Sequence, residues 1–209
     1  MKRLLLILPF ILCMQLVCME QPPAKLTAVQ ATQALKEKIE VLLINELDQF
    51  PNDYTAQEKA DWESFSLEYV KSFVKQGADV NVTSESQWPL LSVAARAEFK
   101  KLVAFLIESG VDVNASNPYG GPVLLDVSIR GNIDLAEQLI KAGALVDATD
   151  SYERTPLMFA IDSGNVDLIN LLLHYGADPD KKDAAGRSAR DRAQSLPLIV
   201  PLFTPNRLQ

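Results

Sequence analysis

Residues that carry chemistry are scarce in this chain. It has one histidine and two cysteines, and both cysteines, Cys13 and Cys18, precede Met19. One histidine without cysteines gives no recognisable zinc site. Loss of the segment through Cys18 would leave no disulfide, no thiolate nucleophile and no cysteine-bound metal. The lone His174 stands near a helix end, where the helix dipole favours a solvated imidazole. No Gly-x-Ser-x-Gly, Walker loop or Rossmann fingerprint occurs. Asp178 and Asp180 open no loop of alternating oxygen ligands, so they read as turn formers. Catalysis has no support, and no metal, cofactor or small-molecule substrate is expected. Basic residues are also in deficit: 20 Lys and Arg face 27 Asp and Glu, for a net charge of −7. Phosphate binding needs a basic stripe, so nucleic acid is not the expected partner. Apolar residues are not lacking: at 48% they are too many for a disordered chain.

What is present is a period. Gly77, Gly110, Gly143 and Gly176 stand 33 residues apart. Each opens a similar phrase, from Gly77-Ala78-Asp79-Val80-Asn81 to Gly176-Ala177-Asp178-Pro179-Asp180. The clearest unit runs from Thr155-Pro156-Leu157 to Gly176. Thr155 suits a helix N-cap and Pro156 the first helical position. Gly164 suits a left-handed turn between two helices, and Gly176 the position after Leu171-Leu172-Leu173. The interval maps Thr155 back to Pro122, Pro89 and Ala56, and forward to Ser188. A helix pair of this kind cannot bury its apolar face alone, so copies must stack.

On these residues the chain resembles an ankyrin-repeat protein, over roughly Thr55 to Ala193. The resemblance implies an all-α solenoid of helix-turn-helix units with short β-turn fingers. Five helix pairs are expected, the first and last atypical. The units fall near 56–88, 89–121, 122–154 and 155–187, with a partial unit at 188–196. Glu98 takes the place of the turn glycine in the second unit. The family's histidine after Thr-Pro-Leu is replaced by Ser92, Leu125, Met158 and Asp191, which removes one source of hydrogen bonds between repeats.

The flanks have their own logic. Met1-Lys2-Arg3 followed by apolar Leu4 to Val17 has the form of a secretory signal peptide over residues 1–20. Cleavage before Glu20 would remove Lys2 and Arg3 and take the net charge from −7 to about −9. The rival readings are an uncleaved membrane anchor and a lipid-modified Cys18. Secretion or a periplasmic location is the expectation, with membrane or envelope attachment as the alternative. Residues 21–54 supply an extended linker and a helix from Thr27 to Phe50, opened by a Thr27–Gln30 capping box. That helix either caps the first repeat or lies free for a partner or membrane surface. A second capping box is read at Thr55 and Glu58. Beyond the repeats, 197–209 is an apolar tail broken by Pro197, Pro201 and Pro205, expected to cover the last unit.

Function then rests on surface. By resemblance, ankyrin fingers and first helices bind proteins, so a protein partner and a monomeric chain are expected. The fingers map to Val82–Trp88, Ala115–Gly121, Ala148–Arg154 and Lys181–Arg187. Tyr119 and Tyr152 fall one period apart at the tips. Trp88, Arg154 and Arg187 share the phase just before the helix start. Arg96 and Asp162 share one phase of the first helix, and Asp126 and Phe159 another. Aromatics and arginines are common interface anchors. The competing use for them is packing between neighbouring fingers. An acidic surface should also make association with a basic partner salt-sensitive. The rival classes are a purely structural, envelope-tethered protein and an enzyme using unrecognised acids.

Overall fold

A computed structural model describes residues 26–39, 55–194, 196–197 and 199–203. Residues 1–25, with the signal-peptide reading, and 40–54 lie outside it. Helix α1 spans Ala28–Ile39 and α2 spans Ala56–Val74. Three helix pairs follow: α3 (Leu90–Arg96) with α4 (Lys100–Glu108), α5 (Val123–Arg130) with α6 (Ile133–Lys141), and α7 (Pro156–Asp162) with α8 (Val166–His174). A short α9 (Ala189–Ala193) and a 3-10 turn at Val200–Phe203 close the chain. The first helices α3, α5, α7 and α9 pack each on the next. The second helices form the other layer, where α2 packs on α4 and α6 on α8.

The caps are those the residue types dictate. Thr155 Oγ1 accepts from the Met158 amide at 3.3 Å, with Pro156 in the first turn. Asn132 and Asn165 cap α6 and α8 by accepting from Leu135 and Leu168. At the far end of α8, Gly176 has φ +85°, and the Ala177 amide reaches back to the Leu172 carbonyl. That is a Schellman stop, which needs a left-handed residue. Ser188 and Asp191 form a reciprocal capping box on α9. Asp191 thus stands in the absent histidine's phase and still bonds the residue that opens the unit.

The first unit differs from expectation. It is one uninterrupted helix, α2, and not a helix pair. The turn between paired helices needs a left-handed residue: Gly131 has φ +70° and Gly164 φ +68°. Glu98 fills that phase at φ +57°, and its carboxylate pairs with Lys59. In the first unit the phase falls on Phe65. Phe65 instead joins Trp62, Tyr69 and Phe73 in a run of ring contacts along one helix face, with centroids 5.0–5.9 Å apart. That stripe holds a single helix together.

Successive units are joined by a repeated strut. Asn81 Oδ1 accepts from the Asp112 amide at 2.7 Å, and Asn114 Oδ1 from the Leu145 amide at 2.9 Å. Asp147 accepts from the Asp178 amide at 3.0 Å. The N-terminal helix enters the same series: Thr32 Oγ1 accepts from the Asp79 amide at 3.0 Å. Ala31 and Leu35 are buried on α2, and the Thr27–Gln30 capping box forms as the residue types suggest. The described part of this helix packs its apolar face on α2. Its extension to Phe50 and the side chain of Glu58 lie outside the described residues. At the other end Ile199, Leu202 and Phe203 are buried, and Arg190 Nη1 donates to the Phe203 carbonyl at 2.7 Å. The apolar tail covers the last unit through these residues.

Two outcomes follow for stability. Leu172 is fully buried between layers, so Leu172→Ala should cost ~2–5 kcal/mol. In a solenoid that loss spreads to the neighbouring units, which urea melts with hydrogen exchange will register as protection lost on both sides. Glu153, in the third finger, sits at φ +59° in the phase held by Gly120 and Gly186 in the second and fourth. Glu153→Gly should therefore raise stability by ~1 kcal/mol, read as a higher urea midpoint at an unchanged slope.

Candidate functional site

Each finger is a tight turn closed by its own polar residue. In the third, the Asp150 amide donates to the Arg154 carbonyl, and Asp150 Oδ1 accepts from the Tyr152 and Arg154 amides. Asn117 and Asp183 do the same in the second and fourth fingers, and Ser84 bonds the Trp88 amide in the first. Isolated bridges at Thr83–Pro89, Ser116–Pro122 and Lys182–Ser188 complete the short β character. Fingers also touch each other: the Ala184 amide donates to the Tyr152 carbonyl at 3.0 Å.

The sequence-selected residues fall into connected sets. Trp88, half-buried, meets the exposed Tyr119 edge to face at 5.8 Å. The Arg96 guanidinium lies over the Trp88 ring at 4.5 Å and faces Asp126 at 3.9 Å. Arg154 is gripped by Asp150, Nε at 2.8 Å and Nη2 at 2.7 Å. The same guanidinium covers the Phe159 ring at 4.6 Å and Tyr152 at 5.1 Å. Asp162 is exposed and takes Arg192 Nη1 at 2.6 Å; Arg192 also pairs with Asp183. Arg187 is exposed at the base of the fourth finger. Packing between fingers therefore holds the Trp88–Tyr119 pair, while Tyr152 keeps most of its surface in solvent.

Between the second and third fingers lies a cavity of about 550 Å³. Tyr119 and Tyr152 form its rim, Ile129 and Phe159 its apolar wall, and Asp126 its floor. Tyr119, Tyr152 and Ile129 are more than half exposed. Asp126 is buried, and its Oδ2 accepts from Asn117 Nδ2 at 3.0 Å. Burial pushes the Asp126 carboxyl above its ordinary range, against the pull of Asn117, Arg96 and Arg130. The reverse holds for Asp183, kept low chiefly by the Arg187 backbone N–H.

Three members of this surface escaped the sequence reading. Ile129 shares the phase of Arg96 and Asp162, and that interval was its only signal. Arg192 shares the phase of Asp126 and Phe159 in the last unit. Asn117 was read only as part of a finger, yet it links the turn to Asp126. His174 is exposed at the end of α8, in edge contact with Tyr175 at 5.2 Å. Among the described residues no group of His, Cys, Asp and Glu converges as a metal site, and no helix is long and apolar enough to cross a membrane.

Comparison with known proteins agrees with this architecture. The family model described as ankyrin repeats in three copies matches residues 58–150 and, in a second register, 91–183. No curated protein matches the chain. The family implies protein partners in general and is typically non-catalytic. The match covers more than half of the sequence and encloses the stacked helices, fingers and glycine stops described above: the chain belongs to the ankyrin-repeat family.

Proposed function

We propose that this protein is a non-catalytic binding module that acts outside the cytoplasm and meets its protein partner at the finger tips and first-helix face. The observation that carries the binding reading is the cavity between the second and third fingers. It combines an exposed aromatic and aliphatic rim with a floor of fixed side chains. Large planar side chains bury much area at small entropic loss, and pinned arginines lose little freedom on contact. Export rests on a separate feature, the basic start and apolar run of residues 1–17.

Two experiments test these readings. A partner captured from the native source is titrated against alanine variants. Tyr119→Ala and Tyr152→Ala should each weaken it by ~1–2 kcal/mol; Tyr152→Ala should leave the melting temperature unchanged, and Tyr119→Ala, whose ring also meets Trp88, should lower it less than Trp88→Ala does. Trp88→Ala and Arg154→Ala should weaken binding and lower the melting temperature together, because both also hold the fingers. Normal binding by all four, with loss in Asp167→Ala or Asn170→Ala on the outer helix α8, would place the surface elsewhere. For export, the protein expressed with its own N-terminus is recovered outside the cytoplasm and weighed intact. It should lack roughly the first twenty residues. An exported form that keeps Met1 would establish the membrane-anchored alternative.

A further inference from the structure

We infer that the cavity between the second and third fingers receives a cationic side chain of the partner, a lysine or an arginine, against Asp126. The inference rests on the binding surface proposed above and names the chemistry that surface selects.

The carboxylate on the floor has an incomplete set of hydrogen bonds. Asp126 stands in the first turn of α5 with its side chain 8% exposed. An ionised carboxylate accepts several hydrogen bonds. Here Oδ2 has one, from Asn117, and Oδ1 has only the Arg96 guanidinium at 3.9 Å. That distance is too long for a hydrogen bond. Arg96 is held back by its stacking on Trp88. The cation nearest the opposite wall is committed too: Arg154 spends two nitrogens on Asp150 and its face on Phe159 and Tyr152. A buried carboxylate with an open oxygen favours an incoming N–H cation over any other occupant. An acidic group would sit against Asp126, and an apolar one would strip its remaining water.

The walls suit the rest of such a side chain. Leu125, Ile129 and Phe159 offer an apolar path for an aliphatic stem, while the head reaches the floor. Tyr119 and Tyr152 at the rim present aromatic rings, which attract cations. A volume of about 550 Å³ holds one long side chain and the backbone beside it. The chain's net charge of −7 draws basic segments from a distance.

The test uses the purified full chain on an array of immobilised hexapeptides. One central residue is fixed as Lys, Arg, Glu, Leu or Tyr, and the other positions are mixed. The Lys or Arg sets should be retained roughly tenfold or more above the Glu and Leu sets. Comparing those two sets identifies which head group fits. Asp126→Asn should abolish the preference. Ile129→Lys, at a position 54% exposed, should abolish it as well without disturbing the core, which covers the case of an Asp126 variant that folds poorly. Equal retention of Glu and Lys sets, or a preference that survives both substitutions, overturns the inference. Retention that ignores charge yet falls in Tyr119→Ala overturns the cationic ligand alone and leaves the surface standing. No retention of any set overturns the cationic ligand and counts against the surface as a peptide site.

Discussion

The bond from one unit's backbone amide to the preceding unit's Asn or Asp side chain is the constraint on which this structure depends. Asn81, Asn114 and Asp147 each reach forward 31 residues, across the boundary between units. Apolar stacking alone would let adjacent helix pairs slide, because burial has no direction. A hydrogen bond at a defined atom fixes rotation and offset once per unit. The fingers then fall into line, and residues one period apart in sequence come to share one face. The cavity beside Tyr119 and Tyr152 lies between two fingers whose units are joined by this bond, from the Leu145 amide to Asn114.

The surface built on that frame divides into fixed and free parts. Arg96 and Trp88 hold each other by guanidinium-on-ring stacking, and Arg154 and Phe159 form a second such pair. Asp162 and Arg192 are fixed at the far end by their ion pair. Side chains already held in place lose little entropy when a second surface arrives. Tyr119, Tyr152 and Ile129 keep most of their area in water, so they retain area to bury. A rigid floor below an unspent rim is a favourable arrangement for association.

Much of the fold was legible because it is local. A glycine stop, a threonine cap and a proline in the first turn each act within one turn of helix. The glycine stop recurs every 33 residues, and that recurrence left little freedom to the architecture. Phe65 shows where the period misled. The interval demanded a turn there, yet Trp62, Phe65, Tyr69 and Phe73 are spaced three, four and four residues apart. That spacing is an unbroken helical stripe, and the local pattern outweighed the repeat. The struts were harder to see, since donor and acceptor lie in different units. Asn81, Asn114 and Asp147 were visible as a series, but Asp180, in the same phase, read as a turn former. The site was legible as a list of phases and not as pairs. Which arginine covers which ring depends on side-chain direction, and one interval gives Ile129 and Asp162 the same position with opposite character.

Thr32 carries a consequence for how such a chain changes length. Its hydroxyl does for Asp79 what Asn81 does for Asp112, so an element outside the period ends the series without a gap. The acceptor and the donor travel together in every 33-residue cassette. Duplication of one internal cassette would bring its own donor for the strut behind it and its own acceptor for the strut ahead. The α1 and C-terminal covers would stay as they are, and the array would gain one finger. Gene lengthening here is a modular event, and its product is a longer row of recognition positions on unchanged ends.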